Sequence, residues 1–333
     1  MEKNKNLDNK QVNKEAKKAS TKKKRVLKKK PLIITICVLL CLVLGASIFL
    51  IVSNSGTSLS EDKYDPAAEL AEIEALISEE DRKYIEDYDT NKEISSSFVG
   101  TVKFESGLID LPFVQGPDND YFLREDWKTS LYSTLGSIFM DYECTLDSEN
   151  IILYGHNAFS YYDAGTDDEG NKLVNDELMF TPLKFLVDED NYEENKTVYL
   201  ILENEVREYE IVSVYYCPLE GEGDNVYPEE GLAYYSPEYD DEYFENYKKK
   251  IKEIEFYDTD VDFTNEDKFL TLQTCIEGND MAREIVLCKQ VSTRKLDREA
   301  YKEYLIKIDE YNAKLEENAN AESNEDSTTS NNN

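Results

Sequence analysis

The sequence is poor in the residues that many catalytic classes need. It holds a single histidine, His156, which excludes any site built on several histidine ligands. Its six cysteines, at positions 37, 41, 144, 217, 275 and 288, form no CxxC pair, so zinc ribbons and thioredoxin-like redox motifs are excluded. There is no G-x-S-x-G, no Walker loop and no H-E-x-x-H. Basic residues are scarce: 37 Lys and Arg against 71 Asp and Glu leave a net charge of −34, which argues against a nucleic-acid partner. No internal repeat is visible, and neither a cofactor nor a metal is expected, because the acidic run Asp163, Asp167, Asp168, Glu169 lacks EF-hand spacing. What the chain does have is length and apolar content. Its 333 residues, 40% hydrophobic and 11% aromatic, are enough for a packed core and rule out disorder throughout.

The charge is segregated. Residues 1–31 carry 13 Lys and Arg against Glu2, Asp8 and Glu15, a net of +10, so the remainder carries −44. Leu32 to Val52 follows without one charged residue. As a helix these residues span roughly 31 Å, about the hydrocarbon thickness of a bilayer. The Lys22–Lys30 block ahead of this span predicts a cytoplasmic basic tail (1–31), a transmembrane anchor (32–52) and an extracellular remainder. A cleaved signal peptide fits less well, because apolar residues continue past Gly45-Ala46-Ser47 through Val52. Cys37 and Cys41 fall inside the span.

Beyond a polar linker (53–64), Asp65-Pro66 and the stripe Leu70, Ile73, Ile77 predict one helix from about Pro66 to about Tyr84. Strands are expected at 98–104, 109–114, 150–154, 197–202, 208–216, 268–274 and 283–291. A helix beginning at Ser236-Pro237 carries Tyr239, Tyr243, Phe244, Tyr247, Ile251 and Ile254 on one face. Tyr301, Tyr304, Leu305, Ile308, Tyr311 and Leu315 predict an amphipathic C-terminal helix (296–316), and composition predicts a disordered tail (317–333). The folded part is therefore mainly β with added helices.

Three residues stand out chemically. Cys275 ends the apolar run Leu270–Thr274 and opens a loop, where reactive groups are usually carried. Cys288 sits within an apolar strand and reads as a small buried hydrophobe. Cys144 and Cys217 are equally consistent with a disulfide and with free thiols. A thiol needs a base or cation to become a nucleophile, and His156 is the only side chain that ordinarily titrates near neutral pH. Arg283, eight residues after Cys275, returns beside it if the chain turns as a hairpin, which suits oxyanion stabilisation. The order His before Cys, 119 residues apart, differs from papain-like folds.

Thr271-Leu272-Gln273-Thr274-Cys275 resembles the TLxTC signature of sortases. Tyr154-Gly155-His156-Asn157 is similar to their histidine motif, and Arg283 stands where they carry an arginine. Gly136–Tyr142, Met179-Phe180 with Leu183-Lys184-Phe185, and the helix leading into Tyr257-Asp258-Thr259 resemble class B members, over about Phe98 to Val291. Gln273 and Thr101 depart from that class, which usually has Ser and often Trp there. The resemblance implies a closed eight-stranded β-barrel within a catalytic domain of 65–295, with N-terminal helices, a helix inserted before the cysteine strand and an extra C-terminal helix. It implies a Gram-positive cysteine transpeptidase that cleaves an Asn-Pro-x-Thr-like C-terminal sorting signal after Thr and transfers the surface protein to a cell-wall peptide amine. Cys275, His156 and Arg283 are then catalytic, and Tyr154, Asn157, Thr274 and Ile276 bind substrate. Two alternatives stay open: a pilin-polymerising enzyme with a Lys acceptor, and a non-catalytic membrane-anchored surface binding protein.

Overall fold

A computed structural model of the chain describes residues 65–159, 175–222 and 225–329. These fall into two compact units, one formed by Leu76–Ile306 and the other by 65–75 together with 307–329. The expected anchor at 32–52 lies outside the described residues. Among the described residues, no helix is long and apolar enough to cross a membrane.

The larger unit is built on nine strands: β1 (Phe98–Phe104), β2 (Asp110–Gln115), β3 (Ile138–Met140), β4 (Asn150–Tyr154), β5 (Thr197–Ile201), β6 (Glu205–Glu222), β7 (Asn225–Pro228), β8 (Phe269–Ile276) and β9 (Asn279–Lys295). Their order is β5-β1-β2-β3-β4-β8-β9-β6-β7, and β5 also pairs with β6. That last pairing closes eight strands into a barrel and leaves β7 as an extra strand on β6, so no edge remains in the ring. The pairs β2–β3 and β4–β8 are parallel and the others antiparallel. The expected closed eight-stranded barrel is present.

Alternation places one face of each strand inside. In β1, Phe98, Gly100, Val102 and Phe104 are buried and the residues between them half-buried. The barrel interior is filled by residues such as Phe104, Phe113, Ile152, Leu200, Leu270, Leu272 and Val286. The opposite face of β6, β8 and β9 supplies Tyr215, Phe269, Ile285 and Leu287 to a second core, closed by Phe244, Tyr247 and Ile251. Register shifts in β6 at Glu208/Tyr209 and Ile211/Ser213 reset its alternation, so one 18-residue strand serves both cores.

Among the described residues there are five α-helices: α1 (Pro66–Glu74), α2 (Glu79–Ile94), α3 (Glu189–Asn195), α4 (Asp241–Ile254) and α5 (Arg298–Thr329). The single helix expected from Pro66 to Tyr84 is two. The first ends at Glu74, and Ser78 starts the second by accepting a hydrogen bond from Asp81 N. The inserted helix starts at Asp241 rather than at Ser236-Pro237, because Asp240 caps it through Tyr243 N. The tail expected to be disordered from residue 317 is helical as far as Thr329. Its Glu and Ala residues favour the helix through their intrinsic propensity. In the smaller unit, Asp65 caps α1 through Ala67 N, and Lys314 pairs with Glu69 at 2.5 Å.

Candidate active site

Three adjacent strands place the candidate residues. Parallel pairing sets Tyr154 of β4 opposite Gln273 of β8, and Gly155 N continues the ladder to Gln273 O at 3.1 Å. His156 and Cys275, each two residues further on, therefore leave neighbouring strands at the same end. Antiparallel pairing sets Cys275 directly opposite Arg283 of β9. A register shift after Cys275 and a turn through Gly278, at φ +78°, close the β8–β9 hairpin. The register of β4 on β8 is locked at its far end by buried Asn150, whose Oδ1 accepts from Thr271 Oγ1 at 2.8 Å.

The His156 segment is held on both sides. Phe180 N donates to His156 O at 3.1 Å, and Ala158 N donates to Thr181 Oγ1 at 2.7 Å. Asn157 Nδ2 donates to Cys275 O at 3.0 Å, which ties the histidine loop to the cysteine strand. Gly155 is required for close approach, since a Cβ there would stand 2.4 Å from Ile138 Cδ1 and 2.6 Å from Phe180 Cγ.

The imidazole is half-buried, with Nε2 2.9 Å from the carbonyl of Leu123. A carbonyl accepts only, so Nε2 carries the proton in the neutral ring and Nδ1 keeps the lone pair. Burial lowers the His156 pKa below its ordinary value; the Leu123 carbonyl opposes this, and the nearby charge of Arg124 adds to it. The neutral base form is thus favoured in the substrate-free chain. Arg124 Nη1 stands 3.2 Å from Nε2 and donates to the carbonyl of Thr134.

Cys275 is half-buried and is the most accessible of the four described cysteines, all of which are free. Burial pushes the thiols of Cys144 and Cys217 up to about 12 and raises that of Cys288 as well. Of the two readings left open for Cys144 and Cys217, the free thiols are the ones present. The half-buried Arg283 donates through Nη1 to the carbonyls of Asp280 (3.0 Å) and Ala282 (2.9 Å).

The residues expected to touch substrate divide. Asn157 and Ile276 are half-buried beside Cys275. Tyr154 is committed to the fold, its hydroxyl donating to Asp141 Oδ2 at 2.8 Å. Thr274, also expected to bind substrate, is fully buried, and by alternation it shares the interior face with Leu270 and Leu272. Opposite it is Glu284, also buried, whose carboxyl burial pushes up to about 8. Thr274 Oγ1 and Glu284 Oε1 make no hydrogen bond among the described residues.

Sequence reasoning did not find Arg124, Leu123 or Asp141. Arg124 lies 32 residues before His156 and only the tertiary fold brings it there. Among the described residues, no group of three or more His, Cys, Asp or Glu is arranged to hold a metal.

No protein-family model matches the chain. Among curated proteins it is similar to sortase B of Listeria monocytogenes, 30% identical over 194 residues, which are 55% of this chain and 65% of that one. It is also similar to sortase B of Staphylococcus aureus, 23% identical over 223 residues, 66% of this chain and 80% of that one. The match thus spans slightly less than two thirds of the Listeria protein. A solved mutant form of Clostridium perfringens sortase B is 27% identical with a TM-score of 0.51, covering 69% of this chain and all of that one. A Staphylococcus aureus sortase B–substrate complex, 20% identical over 68% of this chain and 99% of that one, has a TM-score of 0.50 and agrees in fold. With His156, Cys275 and Arg283 at one end of three neighbouring strands of a closed barrel, the chain is similar to class B sortases in sequence and in fold.

Proposed function

We propose that the chain is a membrane-anchored cysteine transpeptidase that cleaves an Asn-Pro-x-Thr-like sorting signal after Thr and transfers the surface protein to a cell-wall amine. The observation that supports this is the register that gathers His156, Cys275 and Arg283 at one end of β4, β8 and β9. Cys275 Sγ attacks the Thr carbonyl carbon, and its proton passes to His156. The tetrahedral intermediate collapses as the C–N bond breaks, and the imidazolium returns the proton to the leaving amine. The acceptor amine then attacks the thioester, yields a proton through His156, and the thiol of Cys275 leaves. The oxyanion is assigned to Arg283 through Nε and Nη2, since Nη1 is taken by backbone carbonyls, and to a backbone N–H near Ile276.

The test is mass spectrometry of the full chain trapped on a panel of labelled sorting peptides, with and without amine acceptors. An adduct on Cys275, released by an amine, is expected. An adduct on Cys144, Cys217 or Cys288, or turnover by Cys275→Ala, overturns the assignment. The acceptor panel separates a wall peptide from a Lys side chain of a pilin-like protein.

The span 32–52 is proposed as the anchor, with the N-terminus cytoplasmic and the catalytic domain extracellular. Protease added to intact cells should remove the C-terminal portion and leave residues 1–31 protected. Protection of Asn333 instead overturns the orientation.

A further inference from the structure

Arg124 has no role in the reaction as proposed above, yet its guanidinium stands 3.2 Å from His156 Nε2. The contact is a hydrogen bond only in the tautomer whose Nε2 is unprotonated; in the tautomer that donates Nε2–H to the Leu123 carbonyl, two donors face each other. Such an arrangement holds only where the backbone fixes both groups. The 123–137 loop is fixed in this way. Ser137 Oγ donates to Glu125 O at 2.8 Å and accepts from Trp127 N at 2.9 Å, and Ser133 N donates to Arg124 O at 2.9 Å. Gly136, at φ +55°, lies against the chain so tightly that a Cβ would stand 2.3 Å from Phe122 O. Buried Phe122 and Trp127 anchor the same loop in a core shared with Tyr88 and Phe98.

Among the described residues the guanidinium is also unneutralised. Arg124 is exposed and forms no ion pair among the described residues, in a chain with 71 acidic side chains. Among the described residues, the charged and titratable groups on the segments around His156 are Arg124 and Glu125 on this loop, Tyr154 on β4, Glu177 ahead of Met179, Cys275 and Glu277 at the end of β8, and Asp280 and Arg283 on β9. Glu125 accepts from the Tyr121 hydroxyl, and Tyr154 is bound to Asp141. Arg124 acts on the imidazole by its charge, against gain of a second proton.

We infer that Arg124 is a positioning residue for the transpeptidation proposed above: held by the rigid 123–137 loop, it keeps His156 neutral with Nε2–H on the Leu123 carbonyl, so that Nδ1 presents its lone pair to the reaction. A fixed cation beside the ring opposes gain of a second proton, whichever way the proton is later used. This rests on His156 being the acid–base, but the test does not require turnover.

His156 is the only histidine, so one labelled imidazole signal reports it without ambiguity. The experiment follows that NMR signal through a pH titration in the full-length chain, labelled on histidine, for the native protein, Arg124→Gln and Arg124→Lys. Arg124→Gln should move the midpoint to higher pH, and Arg124→Lys, which keeps the charge, should stay near the native midpoint. With a sorting peptide, the histidine limb of the pH–rate profile should move in the same direction as the NMR midpoint. An Arg124→Gln midpoint that is unchanged or lower overturns the proposal. So do Gln and Lys variants that titrate alike, since charge is then not the agent. If the NMR midpoint moves while no variant, native protein included, turns over any peptide, the positioning role stands and the transpeptidase reading fails.

Discussion

Cys275 and Cys288 lie on neighbouring strands and differ in little but exposure. Cys288 is fully buried and its thiolate is disfavoured, whereas Cys275 is half-buried at a strand end. Among the four described cysteines, a thiol reagent applied to the folded protein should therefore modify Cys275 first, read by peptide mapping. Cys288→Ala should lose only packing, about 1–2 kcal/mol of stability. Asn157 holds the Cys275 carbonyl, so Asn157→Ala should reduce turnover roughly tenfold, about the worth of one lost hydrogen bond. Glu284 gives a prediction of a different kind. Below pH about 4.5 its carboxyl is protonated in folded and unfolded chains alike. Between about 4.5 and about 8 the folded chain keeps a proton that the unfolded chain has released, so stability falls as pH rises through this window. Urea titrations should find that decline in the native protein and a flatter one in Glu284→Gln. The variant's advantage at pH 8 should be roughly 1–3 kcal/mol.

At the scale of the element, the site depends on how β4 ends. Its last residues run parallel to β8, and Gly155 then lets the chain pass between Ile138 and Phe180. Gly155→Ala should cost roughly 1–3 kcal/mol in thermal or urea unfolding and reduce turnover, because the displaced segment carries His156. Helix α2 is a milder case. Its start rests on Ser78, so Ser78→Ala should cost about 1 kcal/mol and leave the site unaffected. The Ser78-Glu79-Glu80-Asp81 signal was present in the sequence, but the apolar stripe that continues through Ile77 hides the break.

Over the whole molecule, the acidic surplus assembles no metal cluster among the described residues. Because Asp163, Asp167, Asp168 and Glu169 lack EF-hand spacing, treatment with EDTA is expected to leave peptide turnover unchanged, and a loss restored by Ca²⁺ would refute this. The C-terminal helix outlasts its apolar stripe, and residues 312–319 are exposed. A chain ending at Glu316 should accordingly melt within about 1 °C of the full chain.

The sequence by itself determined what depends on local order. Alternating apolar residues specify most strands to within a few residues, and the β8–β9 hairpin is short enough that Cys275 and Arg283 meet by register alone. The motif residues around His156 and Cys275 were legible for the same reason, since each sits where an apolar run stops. Short β3 and β7 were missed, because three or four residues carry no period. Other features were set by contacts between distant segments, which no local pattern encodes. Parallel pairing of β4 with β8 brings together residues 119 positions apart, and closure through β5–β6 turns the sheet into a barrel. Thr274 and Glu284 face inward because Leu270, Leu272 and Val286 on the same strands do. Arg124 reaches His156 because a loop anchored by Phe122 and Trp127 folds back over the end of β4, a placement decided by packing and not by spacing.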